Sequence, residues 1–228
     1  MDITLKLKEI AMKYGGFVVA AVSMFVLALS SGCKSSGGSS SSADKAVSSL
    51  VDTRVEVVKA QNELTETLMS LDGLQNASGD ITPAYERFKK ALASTEQQKK
   101  NAEQRAKSMR EHSAEYQKEW EQETSVINNP DVKESAQERA EHVRNRYGTI
   151  REIALDCRKQ YATLHTDLID INRYLANDLN AAALEKVKPN IATARKDGDA
   201  LNSRLNDLIA QMNELTAELN PTGKVPEK

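Results

Sequence analysis

Between Ala136 and Leu175, apolar or small side chains recur in alternating steps of four and three: Ala136, Ala140, Val143, Tyr147, Ile150, Ala154, Cys157, Tyr161, Leu164, Leu168, Ile171 and Leu175. A second seam, Leu184, Val187, Ile191, Ala194, Gly198, Leu201, Leu205, Leu208, Met212, Leu215 and Leu219, keeps the same step. A repeat of about 3.5 residues sustained this long predicts helices whose apolar seams face partner helices, as in a coiled coil. A third stretch, from Tyr85 through Phe88, Leu92 and Met109 to Trp120, holds the period with a lean middle. There Thr95, Lys99, Ala102, Ala106 and Ser113 occupy seam positions, so close but weak packing is expected. Val47, Leu50, Val51, Val55, Val58, Leu64, Leu68 and Leu71 give the first helix a broader stripe.

The breaks fall between these runs. "DGLQNASGDITP" separates the first two, with Thr82 in an N-cap position and Pro83 at the first helical position. "NNPD" separates the second and third, with Asp131 near the new N-terminus, and "NDLNA" separates the third and fourth, with Asn180 as N-cap. Pro189 either kinks the fourth helix or marks its start. The helices are expected over 44–74, 83–127, 131–178 and 181–219. Short connections favour antiparallel neighbours. The fold class is therefore all-α: a long antiparallel helical bundle or coiled coil, four helices running up-down-up-down. The middle two are the longest, so their hairpin projects as a bare two-helix stem by about 15–20 Å.

The N-terminus changes the picture. "FVVAAVSMFVLALSS", Phe17 to Ser31, is about fifteen residues long, shorter than the roughly 20 a transmembrane helix needs. It fits the apolar region of a secretory signal, with Lys6, Lys8 and Lys13 upstream and Met12 as an alternative start. "SSGC", Ser30 to Cys33, resembles a bacterial lipobox, with Leu29 one place earlier than usual. That resemblance implies cleavage before Cys33 and acylation of it, and Lys34 after it implies outer-membrane sorting. The expected layout is a lipoprotein signal peptide over 1–32 and a lipidated Cys33 with a Ser/Gly tether over 33–43. A helical domain over 44–219 and a disordered tail over 220–228 follow. The membrane is then a partner through N-terminal acyl chains. The expected location is the cell outer membrane, facing the periplasm.

Residues 33–228 carry 28 basic and 31 acidic side chains, a net of −3, so no basic excess points to nucleic acid. With Cys33 lipidated, Cys157 stands alone and no internal disulfide is available. Its seam position predicts a buried, inert thiol. The histidines, His112, His142 and His165, lack the Glu-x-x-His spacing of a bundle metal site, and no phosphate loop or nucleophile–base grouping is visible. No metal, cofactor or enzymatic activity is expected. Lys99 interrupts its seam, either by sending its amine to solvent along an apolar stem or by fixing register through a polar pair.

"EWEQE" at Glu119, "RNRYGTI" around Arg146 and Tyr147, and "DINRYLANDLNAAALEKV" from Asp170 resemble the bacterial domain-of-unknown-function family 2959. The likeness covers roughly Val51 to Leu219, with Asn177 where the family commonly has His. It implies an all-helical envelope protein and assigns no residue a role.

Function is then expected from contact rather than catalysis: a structural or partner-binding envelope component, meeting an envelope protein or a second copy of itself. The alternative is a helical protein that binds or remodels lipid directly. The stem is the candidate contact end. Over residues 110–148 it holds six basic and nine acidic side chains, and it carries Trp120, Tyr116 and Tyr147, with Val126 and Ile127 at its apex.

Overall fold

A computed structural model describes residues 39–220, with side chains from Ser42 onward. It contains four long helices: α1 (Ser39–Gln75), α2 (Thr82–Ser125), α3 (Pro130–Asn177) and α4 (Ala181–Leu219). Their lengths of 37, 44, 48 and 39 residues correspond to about 56, 66, 72 and 58 Å at 1.5 Å per residue. Each helix packs antiparallel on its neighbours in a ring, α1 on α2, α2 on α3, α3 on α4, and α4 back on α1. The diagonal pairs make no close backbone approach among the described residues. This is the expected all-α, up-down-up-down bundle.

The seams form the core. Val143, Ile150, Cys157, Leu164, Leu168, Ile171 and Leu175 of α3 are buried, and so are Leu184, Val187, Ile191, Ala194, Leu201, Leu208, Met212 and Leu215 of α4. Each fully buried Leu or Ile contributes about 1.5–3 kcal/mol of transfer free energy. Leu205 departs from its seam and is only partly buried. In α1 the stripe rotates: Val57 is buried, whereas Val47, Val55 and Val58 are only partly so. On α2 nothing is buried between Thr95 and Met109. The lean middle of that seam leaves α2 and α3 in their slightest contact of the ring.

Helix termini follow side-chain capping, with one correction. Thr82 does not cap α2, because it is already helical. Asp80 accepts the Thr82 amide at 3.0 Å instead, and this hydrogen bonding holds the Asp80 carboxyl below its ordinary pKa. Asn129 caps α3 by accepting from the Asp131 and Val132 amides, and Asn180 caps α4 through the Ala183 amide. Pro189 neither starts nor ends α4, which runs through it from Ala181.

The first helix starts at Ser39, five residues before the expected Asp44, so the segment read as tether over 33–43 is helical from Ser39. This shortens the free stem. Gln98 Nε2 meets the Glu56 carboxylate at 2.7 Å, a register that sets the start of α1 level with about Glu115. On the other side, Glu218 of α4 reaches Arg139 and His142 of α3. The bare hairpin therefore runs from about Tyr116 to about Glu138. It projects about 12–15 Å, the lower end of what the helix lengths alone predict or just below it.

Two helical glycines have opposite surroundings. A Cβ at Gly198 would meet Leu68 Cδ2 at 2.4 Å, whereas one at Gly148 would have nothing within 4 Å. Gly198→Ala is expected to cost about 1–3 kcal/mol through overpacking. Gly148→Ala should stabilise by about 0.5–1 kcal/mol, the usual Gly-to-Ala gain inside a helix. Leu168→Ala, at a fully buried seam position, should cost about 2–5 kcal/mol. Denaturant unfolding of the three variants reads all of these, and two glycine variants of the same sign would contradict the α1–α4 approach.

Candidate functional site: the stem and its base

The proposed contact residues separate into two groups. Tyr116 and Trp120 lie partly buried at the base of the stem, packed against the core, with ring centroids 5.3 Å apart and planes tilted by 50°. Tyr147 is buried at 8% exposure. Burial lifts its phenol far above the ordinary range, and the neighbouring Tyr116 adds to this. At the apex, one and a half to two turns further along α2, Val126 is 74% exposed and Ile127 partly buried. Val132, on the returning helix, is 54% exposed and extends the apolar tip. The aromatics are thus a plug at the base, and the apex is the part that faces solvent. Cys33 lies outside the described residues.

Polar side chains fix the base. Glu121 pairs with Arg144 across α2 and α3. Arg146 spans to α4, reaching Gln211 Oε1 at 2.8 Å, Glu214 Oε2 at 2.5 Å and Glu218 Oε1 at 3.3 Å. Glu218 also receives His142 Nε2 at 2.9 Å, while its backbone carbonyl accepts from Arg139 at 3.1 Å. Sequence reasoning missed this hub. Its members lie on helices more than 60 positions apart, and only the register brings them together.

Nearer the middle, Lys99 takes its solvent-directed course. Its amine is 3.3 Å from Glu103 and 5.7 Å from the centre of the Tyr161 ring. Tyr161 stacks on His165, whose Nε2 meets Glu96 Oε1 at 2.7 Å. Burial pushes the Tyr161 phenol up to about 12 and the Cys157 thiol up to about 11. The Cys157 arrangement suits an inert structural thiol, since the thiolate is the reactive form. Among the described residues, no three His, Cys, Asp or Glu side chains gather closely enough to hold a metal.

These features define a class: a long antiparallel four-helix bundle with a short projecting hairpin. The family model described as protein of unknown function DUF2959 matches residues 39–219, and the chain belongs to that family. No curated protein and no solved structure matches it. The segments that carry the family likeness have structural duties. "EWEQE" and "RNRYGTI" face each other through Glu121 and Arg144. In "DINRYLANDLNAAALEKV", Asn172 accepts from the Tyr85 hydroxyl at 3.0 Å and Asn180 caps α4.

The tyrosines give a pH prediction. The Tyr147 and Tyr161 hydroxyls are buried and have no hydrogen-bond partner. Their folded pKa values are raised, so the unfolded chain loses these protons first. The stability they contribute is complete below the unfolded value of about 10 and is lost as pH climbs through the folded values. Replacing both with Phe should leave neutral-pH stability equal or higher and flatten the alkaline limb of a stability–pH profile. An unchanged limb would contradict their burial as neutral groups.

Proposed function

We propose that this protein is a lipid-anchored, periplasm-facing component of the bacterial cell envelope that works by contact with a partner protein. The hairpin tip carries the reading: Val126 and Val132 are the two most exposed large apolar residues beyond the four-helix section, at 74% and 54%. They sit at the end of an element that, among the described residues, no other helix covers. The sequence around them is acidic, so anionic lipid repels the stem and a protein surface is the better match. That same charge weighs against the alternative, a protein that binds or bends lipid with its helices. Among the described residues no helix is long and apolar enough to cross a membrane. Membrane attachment in this reading is by acyl chains on Cys33, a reading that rests on the "SSGC" sequence. Ser39 and Leu219, the outer bounds of α1 and α4, lie at the end from which the hairpin projects.

Metabolic labelling with a fatty-acid probe should mark the wild type and fail on Cys33→Ser; equal labelling would refute the anchor. Crosslinking in intact cells should capture a partner that is lost when Val126 and Ile127 become Ser. Such surface changes should alter stability by no more than about 0.5 kcal/mol. Trp120→Ala is the less decisive variant, because its ring packs on the core. A folded double-Ser variant that retains every crosslink would overturn the docking role.

A further inference from the structure

Where α1 and α2 run side by side near the tethered end, small side chains replace the leucines found elsewhere. Ser48 and Ser49 on α1 face Ser108 on α2, and the space they leave opens as a groove of about 200 Å³, room for several waters at about 30 Å³ each. Helical spacing then decides what surrounds it. Lys45 lies one turn before the serines of α1, and Arg105 and His112 flank Ser108 on α2. Among the described residues, neither Lys45 nor Arg105 has an ion-pair partner within 4 Å, unlike Lys59, Lys89, Lys107, Arg195 and Arg204. The His112 Nδ1 atom is buried without a hydrogen-bond partner. The Ser49 hydroxyl is already used, donating to the Ala46 carbonyl at 2.9 Å.

We propose that this groove binds a phosphate-class anion, the group shared by inorganic phosphate and phospholipid headgroups. Cationic and hydroxyl donors enter from both walls, Lys45 and Ser48 from one, Arg105, Ser108 and His112 from the other. Donors on opposing walls suit a tetrahedral oxyanion, whose oxygens point several ways, better than a planar carboxylate. A guanidinium fork and an ammonium supply charge-assisted hydrogen bonds, the strong kind. Asp52 also lines the groove and has an interaction of its own. Its carboxylate opposes a dianion and sets the affinity below what two cations alone would give. Glu56, the next carboxylate along α1, meets Lys59 and Gln98, and the charge of Arg105 adds to their lowering of its pKa, so Arg105 also feels this carboxylate. The site depends neither on lipidation nor on the stem's docking role.

Calorimetric titration of the detergent-solubilised full chain tests this, with inorganic phosphate and a short-chain phosphatidylglycerol as probes and acetate as the control. Saturable binding of a probe is expected, weakened about tenfold or more by Arg105→Ala or Lys45→Ala. Asp52→Asn should tighten binding, and Lys100→Ala, an exposed cation elsewhere on α2, should leave it unchanged. Binding of phosphate identifies a free-ion site, and binding of the lipid alone identifies a headgroup site. Saturation by neither probe, equal affinity for acetate, or equal losses from Arg105→Ala and Lys100→Ala would overturn the assignment. Circular dichroism melts of each variant exclude unfolding as the cause, and Ser108→Leu, which fills the groove without touching a charge, should also abolish binding.

Discussion

Leu68 lies against the bare backbone of Gly198, so close that a single added carbon would sit 2.4 Å from its methyl. This contact joins the first helix to the last, the one pair in the ring that no short loop connects. Loops can set α1 against α2, α2 against α3, and α3 against α4. Only side-chain fit can set α4 against α1. Polar pairs extend the register along the same interface: Asp72 with Arg195 at 3.2 Å, Gln61 with Asn206 at 2.9 Å and Arg54 with Asn213 at 3.0 Å. Each exposed pair is worth little alone, but a one-turn slip of α4 would break all of them and drive Leu68 into a side chain. The glycine's cost in helix propensity, about 1 kcal/mol relative to Ala, is offset by a close approach that fixes, together with these pairs, the register of α4 on α1.

How much of this was legible follows from where the information lies. The seams of α3 and α4 could be read because burial on a long helix imposes a period, and a period survives in sequence. Gly198 stood out as a seam position without a side chain, and the close approach explains it. The start of α1 could not be read. Four serines and Ala43 look like linker, and their helical state comes from what α1 packs on rather than from their own preference. Thr82 was read as the cap of α2 because Thr suits that position, but the N-cap place falls on Ile81, which has no side-chain cap, and Asp80 one place earlier accepts the Thr82 amide. The Glu218 hub and the α1–α2 groove were invisible for a common reason. Both are made by residues whose neighbours are fixed by inter-helix register, which no single-helix pattern contains.

The lean middle of α2 has a consequence for how the molecule can move. Between Thr95 and Met109 no residue of this helix is buried, so its hold on α3 there rests on surface pairs such as Glu96 with His165 and Glu103 with Arg158. Exposed pairs of this kind contribute up to about 1 kcal/mol each, against about 1.5–3 for one buried leucine. The α2–α3 seam is the line along which the ring opens at least cost. It leads directly to the hairpin, where the same two helices stand without neighbours.

The two ends of the bundle are therefore unlike in stability as well as in shape. At one, Leu71, Leu74, Phe88, Leu175 and Leu184 are almost completely buried beneath the turns at residues 76–81 and 178–180, and Asn180 closes the amide end of α4. Such a cap leaves little surface for recognition. At the other, Leu50, Val143, Met212 and Leu215 stay buried up to the ion pairs around Glu218, and among the described residues core burial thins only beyond them, at Tyr116 and Trp120. Local opening concentrates where buried apolar contacts are few. In this bundle that is the hairpin beyond Tyr116 and Trp120, not the four-helix section beside it, where Leu50, Val143 and Leu215 are completely buried.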